Sequence, residues 1–328
     1  MSAERPVVLV TAPFDDRVLD ELATTFDVRR HPGAASPAPL LETVPAEDLL
    51  DVAAIVCEAD LLDEAALAAA PALELVVSCR SNPVNVDVDA CARRGVIVGT
   101  TPGRNAEVTA DLTFALLLAT VRQVTAASAW MRAGRWSAGD PYEPYRRFRG
   151  RGLTGRVLGI VGGGAIGRRV ARRAHGFGMG ILIADPALEQ ADVGDLGTLV
   201  PLEELLRSCD ILTVHAPLNE ATRGLIGADE LALLRPDAVV INAGRAAILD
   251  EEALLSALRA GQLAGAGLDV FWEEPLPAAH PLLGLENVVV TPHIGGASDD
   301  VIGEHSRLAA RAVHAWFAGE DVPDAWRA

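Results

Sequence analysis

The chain has 328 residues, half of them hydrophobic, which is enough for two folded domains that each bury a core. Its formal net charge of −17 argues against nucleic acid and anionic membrane surfaces as partners, because both require a basic face. All 28 basic residues are arginines, so lysine Schiff-base chemistry and a P-loop lysine are excluded.

The cysteine usage favours a reducing compartment. The chain has four cysteines without a Cys-x-x-Cys pairing, and three of them lie in or beside apolar runs, as buried thiols do. We expect no signal peptide, because the first apolar run, residues 7–10, has only strand length and no basic region precedes it. The longest apolar helix candidate, 112–121, is too short to span a bilayer. These features predict a cytoplasmic protein.

The first hundred residues alternate between short β-rich runs and helical stretches, which predicts a small parallel α/β sheet. The predicted strands are 7–10, 54–57, 75–79 and 96–98, and predicted helices include 60–70 and 88–94. The pattern breaks at residues 101–105. We place the first domain boundary there, and a single long helix is predicted over 106–133.

The rest of the chain, from residue 134, predicts a second, larger sheet. Residues 134–155 are irregular, and the arginine-rich part at 139–152 could form a charged surface, contact a partner subunit or touch substrate. Six strands are then predicted at 157–161, 181–184, 211–214, 238–242, 266–270 and 288–291, with helices between the first five, as in a doubly wound sheet. A final helix over 298–318, capped by Ser298, is expected to return to the first domain.

A glycine-rich turn joins the first two strands of this second sheet. Gly162, Gly164 and Gly167 have the G-x-G-x-x-G spacing, which allows a tight turn, close approach of a pyrophosphate and close helix–strand packing. Asp185 ends the following strand, where a carboxylate can accept hydrogen bonds from the adenosine ribose. The sequence therefore predicts a dinucleotide site, and Asp185 predicts NAD as the cofactor, because it would repel the 2′-phosphate of NADP.

Polar residues follow the carboxyl ends of the other strands, where ligands of such sheets bind. They are His215, Asn242 with Arg245, Asp269 with Glu273 and Glu274, and His293. Reduction of a carbonyl group requires a proton donor, for which histidine is suited near neutral pH. A substrate carboxylate is well held by a bidentate arginine.

Several sequence motifs follow one another along the chain in a characteristic order and spacing. They are Gly162–Gly167 with Asp185, His215-Ala-Pro217-Leu, Ile241-Asn-Ala-Gly-Arg245, the stretch from Gly265 to Pro275, and Thr291-Pro-His293-Ile-Gly-Gly296. Together they closely resemble the D-isomer-specific 2-hydroxyacid dehydrogenases, the phosphoglycerate dehydrogenase-like family. The resemblance is strongest over residues 155–298. It implies a Rossmann-type NAD-binding domain with a helical dimerisation arm (104–296) and a smaller flavodoxin-like α/β substrate-binding domain (1–103 and 297–328).

The resemblance also implies residue roles. Arg245 would bind the substrate carboxylate and carbonyl, His293 would be the acid/base, and Glu274 would pair with His293 and favour its protonated form. Asp269 would contact the nicotinamide carboxamide. The full implied NAD-binding set is Gly162, Gly164, Ala165, Ile166, Gly167, Asp185, His215, Ala216, Pro217, Ala243, Gly244, Asp269 and Gly296. The resemblance implies a homodimer. We expect no metal, because no metal-ligand arrangement is visible among the following histidines, to which we assign structural or surface roles: His31, His175, His280, His305 and His314.

The implied activity is NAD-dependent interconversion of a 2-oxo acid and a D-2-hydroxy acid. Two alternatives stay open: a formate- or phosphite-type dehydrogenase, and an NAD(H)-sensing regulator of the corepressor type. The acidic charge favours a metabolic enzyme.

The first domain departs from the family pattern in its substrate loop, 79–84, which is not glycine-rich. Arg80 follows a predicted strand there, and with Ser81 and Asn82 it is a candidate substrate-binding residue. Its planar cationic group suits a second anionic group, such as a phosphate, a phosphonate or a distal carboxylate. We therefore hypothesise a 2-oxo acid with a second negative charge. The alternative, that Arg80 points to solvent or pairs with a local acid, stays open.

Overall fold

The computed structural model describes residues 5–31, 33 and 37–326. The chain forms two compact units, the first comprising Met1–Asn105 with Ser298–Ala328 and the second Ala106–Ala297. The strands are β1 (Val7–Val10), β2 (Asp27–Arg30), β3 (Ala38–Pro39), β4 (Val52–Cys57), β5 (Asp60–Leu61), β6 (Leu75–Ser78), β7 (Ile97–Thr100), β8 (Val157–Val161), β9 (Gly180–Ala184), β10 (Thr198–Leu199), β11 (Ile211–Val214), β12 (Val239–Asn242), β13 (Gly265–Leu268) and β14 (Val288–Val290).

The α-helices are α1 (Asp16–Ala23), α2 (Leu40–Thr43), α3 (Glu64–Ala69), α4 (Val88–Arg94), α5 (Ala106–Val121), α6 (Val124–Arg132), α7 (Glu143–Arg147), α8 (Ala165–Gly176), α9 (Gln190–Val193), α10 (Leu202–Ser208), α11 (Ala228–Leu233), α12 (Glu251–Arg259) and α13 (Asp299–Phe317). Short 3₁₀ helices occur at Ala46–Leu49, Gly194–Leu196, Ala246–Ile248 and Pro281–Gly284.

The first unit contains a five-stranded parallel sheet in the order β2-β1-β4-β6-β7, which is the flavodoxin-like order. Its central strands are buried on both faces and therefore read as continuous apolar runs. The sequence missed β2, because this edge strand is polar and only half-buried. The final helix α13 packs on α1, and the Asp15 N–H donates to Ser306 Oγ over 2.9 Å. The prediction that this last helix returns to the first unit is confirmed.

The second unit contains a seven-stranded parallel sheet in the order β10-β9-β8-β11-β12-β13-β14. Six of these strands reproduce the Rossmann order and β14 extends it, so the predicted fold class is confirmed. All six predicted strands are present, with ends displaced by at most two residues. The two-residue edge strand β10 was missed because it is too short to show a pattern.

Two predicted helices are wrong in extent. The single helix over 106–133 is two helices, α5 and α6, which meet at 64°. Gln123 between them has a left-handed backbone (φ +53°), and the Val121 carbonyl accepts its bond from the Arg151 N–H instead of from a continuing helix. The helix predicted over 60–70 begins only at Glu64, because the Asp63 carboxylate caps it by accepting from the Ala66 N–H.

Within the described residues, no single helix is long and apolar enough to cross a membrane. By length and composition alone, the bent pair α5 and α6 passes that test when the two helices are taken together.

Candidate active site

The glycine loop between β8 and α8 requires glycine at two positions and is open at the third. Gly162 has φ +97°, and a Cβ there would lie 2.5 Å from the Ala216 nitrogen. A Cβ at Gly167 would overlap the Gly162 carbonyl oxygen, whereas a Cβ at Gly164 would meet nothing within 4 Å. Helix α8 then begins at Ala165 with no side-chain hydrogen bond from its N-cap. Its first N–H groups are thus available to an anion.

A cavity of about 630 Å³ adjoins this loop. The Asp185 carboxylate lies on its wall, with Oδ2 accepting from the Gly163 N–H at 2.9 Å and Oδ1 from the Ala187 N–H at 3.0 Å. The other walls are mainly apolar and include Ala184, Pro186, Leu199, Pro201, Leu202, Ala216, Pro217 and Leu225. An open helix terminus, a carboxylate and an apolar cleft together fit the pyrophosphate, ribose and adenine of a dinucleotide.

His215 lies behind the loop. The residue is half-buried, Nε2 is 2.9 Å from Thr213 Oγ1, and the buried Nδ1 has no partner among the described residues. Burial lowers the pKa of His215 to about 4, so the ring is neutral at pH 7. The main chain at 215–216 packs against Gly162 and supports the turn.

A histidine–carboxylate pair stands at the carboxyl edge of the same sheet. His293 Nδ1 is 2.6 Å from Glu274 Oε2, and Glu274 Oε1 accepts from the Phe271 N–H at 2.9 Å. An ionised carboxylate only accepts, so Nδ1 is the donor, and Nε2 makes no hydrogen bond to any residue that the structure describes. Burial alone would raise the pKa of Glu274, but these two hydrogen bonds and the charges of His293 and Arg245 outweigh it and lower that pKa.

Asp269 anchors the loop that carries His293. Its carboxylate is fully buried and accepts from Thr291 Oγ1 at 2.6 Å, the Ile294 N–H at 2.9 Å and the Gly295 N–H at 2.7 Å. His293 has φ +52°, which is unfavourable for a histidine and needs such support. Both Asp269 oxygens are thus engaged within the loop. The predicted contact with a nicotinamide carboxamide stays a prediction.

Arg245 follows β12 on a turn that Asn242 fixes. The buried Asn242 accepts from the Gly244 N–H at 2.9 Å and donates to the Arg245 carbonyl at 3.1 Å. The Arg245 side chain is exposed and donates from Nη1 to the Gly244 carbonyl at 2.8 Å. Ala243 and Gly244 form the buried part of this turn. Gly296, another predicted cofactor residue, lies in the His293 loop, three residues after His293. The sequence analysis did not predict that Asn242 anchors the Arg245 turn and Asp269 the His293 loop, although both are polar residues at the ends of buried strands.

An apolar cavity adjoins the histidine–carboxylate pair. It has a volume of about 630 Å³, and its walls include Phe271, Pro275, Leu276, Leu283, Val290 and Pro292 beside Glu274 and His293. The side chains of His293 and Glu274 are exposed, so the pair can exchange a proton with a small organic ligand that binds there. Among the described residues, no group of three or more His, Cys, Asp or Glu side chains is arranged to hold a metal ion.

The predicted substrate residues of the first unit lie after β6. Arg80 is half-buried and donates from Nε to the Glu58 carbonyl at 2.8 Å, while Ser81 and Asn82 are exposed. Arg104, which sequence reasoning did not select, pairs with the Glu58 carboxylate at 2.6 Å. His305 is 1 % exposed, so a surface role for it is wrong and a structural one remains.

Comparison with known proteins agrees with this geometry. Residues 114–295 match the family model described as D-isomer specific 2-hydroxyacid dehydrogenase, NAD binding domain. A glyoxylate reductase of Korarchaeum cryptofilum is 38% identical over 322 residues, covering 98% of this chain and 95% of the relative. A D-3-phosphoglycerate dehydrogenase of Mycobacterium leprae is 37% identical over 98% of this chain, which spans only 58% of that relative.

A solved structure of a related enzyme has the same fold. The NADPH-dependent glyoxylate/hydroxypyruvate reductase of Sinorhizobium meliloti, in complex with citrate, superposes with a TM-score of 0.77 at 34% identity, covering 98% of each chain. Fold, glycine loop and relatives thus agree. The chain belongs to the D-isomer-specific 2-hydroxyacid dehydrogenase family, oxidoreductases that act on the CH–OH group of hydroxy acids.

Proposed function

We propose that the chain interconverts a small 2-oxo acid and the corresponding D-2-hydroxy acid with NAD(H), using His293, Glu274 and Arg245. The 2.6 Å hydrogen bond between His293 and Glu274, on the sheet edge that also carries the glycine loop, is the observation that carries this proposal. The second unit, which carries these three residues, would bind the cofactor, and the substrate-binding role of the first unit stays a prediction.

A bound nicotinamide would supply hydride for reduction and accept it in oxidation. With Nδ1 held by Glu274, the Nε2–H of His293 donates a proton to the carbonyl oxygen during reduction and Nε2 takes the hydroxyl proton during oxidation. Glu274 favours the imidazolium that reduction requires. The exposed guanidinium of Arg245 holds the substrate carboxylate, because its fork matches a carboxylate bidentately.

The cofactor is proposed to be NAD. The Asp185 carboxylate lies where the adenosine ribose would bind, and no arginine follows it at Pro186 or Ala187. The Sinorhizobium relative is named as NADPH-dependent, so the choice has to come from this chain's own residues.

Assembly and location are also proposed. The end of α6 and the segment that follows it expose Met131, Trp136, Tyr142 and Tyr145, which supports a homodimer in which a second copy covers them. All four cysteines are free and buried, and burial raises the pKa of Cys57 to about 12 and that of Cys91 to about 11. Unpaired, unreactive thiols support a cytoplasmic location.

Replacing Glu274 by glutamine tests the acid/base assignment. The hydrogen bond and charge of His293 are among the causes that lower the pKa of Glu274, so the glutamine variant loses this favourable coupling and its reductive kcat/KM profile should move to lower pH. The matched control is Glu273→Gln, which removes a neighbouring exposed carboxylate and should leave the profile in place. A profile that stays put for Glu274→Gln, or shifts for Glu273→Gln instead, would show that Glu274 is not the partner.

A further inference from the structure

The loop between β13 and β14, residues 269–287, carries Glu274 and has few attachments to the rest of the chain. Most of its residues from 273 to 279 are exposed. Apart from the pair of Glu274 and His293, only two hydrogen bonds join residues 271–284 to described residues outside the loop. Both come from side chains, those of Trp272 and His280, which lie on either side of Glu274 in the sequence.

Trp272 holds the side of the loop that precedes Glu274. Its indole Nε1–H donates to the Leu249 carbonyl at 2.8 Å. The ring is half-buried and packs against the hydrophobic core of the second unit. Because Trp272 lies only two residues before Glu274, this bond limits how far the carboxylate can move.

His280 holds the side of the loop that follows Glu274. Its Nδ1 accepts from the Leu282 N–H at 3.3 Å, so Nε2 carries the proton and donates to Glu251 Oε1 at 2.7 Å. The His280 side chain is only 13% exposed, and a hydrogen bond shielded from water is stronger than one on an open surface. One ring thus caps the short 3₁₀ helix that begins at Pro281 and ties the loop to the first turn of α12.

Both bonds from the loop end on residues 246–251, a segment that is itself fixed in the core and begins directly after Arg245. Ile226 pairs with this segment twice: its N–H donates to the Ile248 carbonyl and its carbonyl accepts from the Asp250 N–H, each at 3.0 Å. Ile226 and Ile248 are fully buried. The loop is therefore fastened to a rigid part of the second unit.

We propose that Trp272 and His280 are positioning residues of the reaction: they clamp the loop to residues 249–251 and so keep the Glu274 carboxylate 2.6 Å from His293 Nδ1. A displacement of about 1 Å would lengthen that contact beyond hydrogen-bond distance. Both residues act through Glu274. The proposal rests on the proposed function, in which Glu274 supports His293.

The titration of the Glu274 carboxyl group reports its position without turnover. Burial raises the pKa of Glu274, but the hydrogen bonds from His293 and the Phe271 N–H and the charges of His293 and Arg245 outweigh it and lower that pKa. A carboxylate that moves away from His293 loses part of this effect. Its pKa should then rise.

Carbon-13 NMR of the Glu274 carboxyl carbon, without cofactor or substrate, measures this titration, and Glu274→Gln identifies the signal by its loss. The pKa of Glu274 should rise in Trp272→Phe, which deletes the indole N–H, and in His280→Leu, which deletes both ring nitrogens. His280→Gln keeps a donor for Glu251 and should stay closer to the wild type. Trp316→Phe is the matched control, because Trp316 Nε1 donates to Glu74 in the first unit; its Glu274 titration should be unchanged.

Kinetics then separate positioning from a purely structural role. In Trp272→Phe and His280→Leu, kcat for reduction should fall by about tenfold or more, and the profile of reductive kcat/KM should move to lower pH, as in Glu274→Gln. KM should change by less than about twofold, because Asn242 fixes the Arg245 turn separately. Adding Trp272→Phe to Glu274→Gln should move the pH profile no further, since no carboxylate remains to be positioned.

An unchanged Glu274 titration in both Trp272→Phe and His280→Leu would overturn the clamp, and Trp272→Phe decides alone if His280→Leu fails to fold. A shifted titration with wild-type kcat and pH profile would overturn its role in the reaction. A shifted titration in a chain that turns over no 2-oxo acid would instead overturn the proposed function and leave the clamp standing.

Discussion

Replacing His293 by alanine is expected to lower kcat for reduction of a 2-oxo acid by a factor of about 10²–10⁴. Nε2 of His293 is the proposed proton donor, and water would have to replace it in the variant. The NADH cleft is formed by other residues, chiefly the glycine loop and Asp185. We therefore expect the Kd for NADH to change by less than about twofold.

Steady-state NADH oxidation and fluorescence titration with NADH measure these two quantities. His175→Ala is the control, because His175 is an exposed histidine of the same unit whose Nε2 only contacts the Leu196 carbonyl. It should retain full activity. Turnover by His293→Ala within about threefold of the wild type would show that His293 is not the proton donor.

The second large effect concerns the choice of cofactor: kcat/KM with NADH should exceed that with NADPH by about 100-fold or more. A 2′-phosphate would come close to the Asp185 carboxylate, and like charges repel strongly in a partly desolvated cleft. Asp185 is held in place by the Gly163 and Ala187 N–H groups and cannot move away without losing both bonds.

Asp185→Ser should reduce this preference by at least about tenfold, because the repulsion is removed. Asp195→Asn removes another exposed carboxylate of the same unit and should leave the preference unchanged. Equal or better efficiency of the wild type with NADPH would contradict the assignment of NAD.

The interior strands could be predicted because each is buried on both faces and appears as a short apolar run between turn signals. The edge strands β2 and β10 could not, since one is polar and the other has two residues. The sequence could not predict the break between α5 and α6, because Gln123 is neither glycine nor proline. The hydrogen bond from the Arg151 N–H to the Val121 carbonyl accompanies the break, but it forms only in the folded chain between residues distant in sequence.

The strand-end rule predicted Arg245, His293 and the two acids Glu273 and Glu274 at one edge, because parallel strands bring their carboxyl ends together there. The choice of Glu274 came from the family resemblance. The strand-end rule did not select Arg104, which lies past a Pro-Gly turn and several residues beyond its strand. It also could not show that Asp269 has both oxygens engaged in the His293 loop, or that Thr101 Oγ1 is buried without a partner. Burial and hydrogen-bond saturation depend on tertiary packing, which a local pattern does not contain.

We propose that this chain is an NADH-dependent 2-oxo acid reductase. The most direct test is to follow NADH oxidation with a panel of mono- and dianionic 2-oxo acids and to determine the configuration of the product by chiral chromatography. We expect turnover with at least one panel member and a D-2-hydroxy acid as product. Tight NADH binding with no turnover of any 2-oxo acid would contradict it and favour a dinucleotide-sensing regulator.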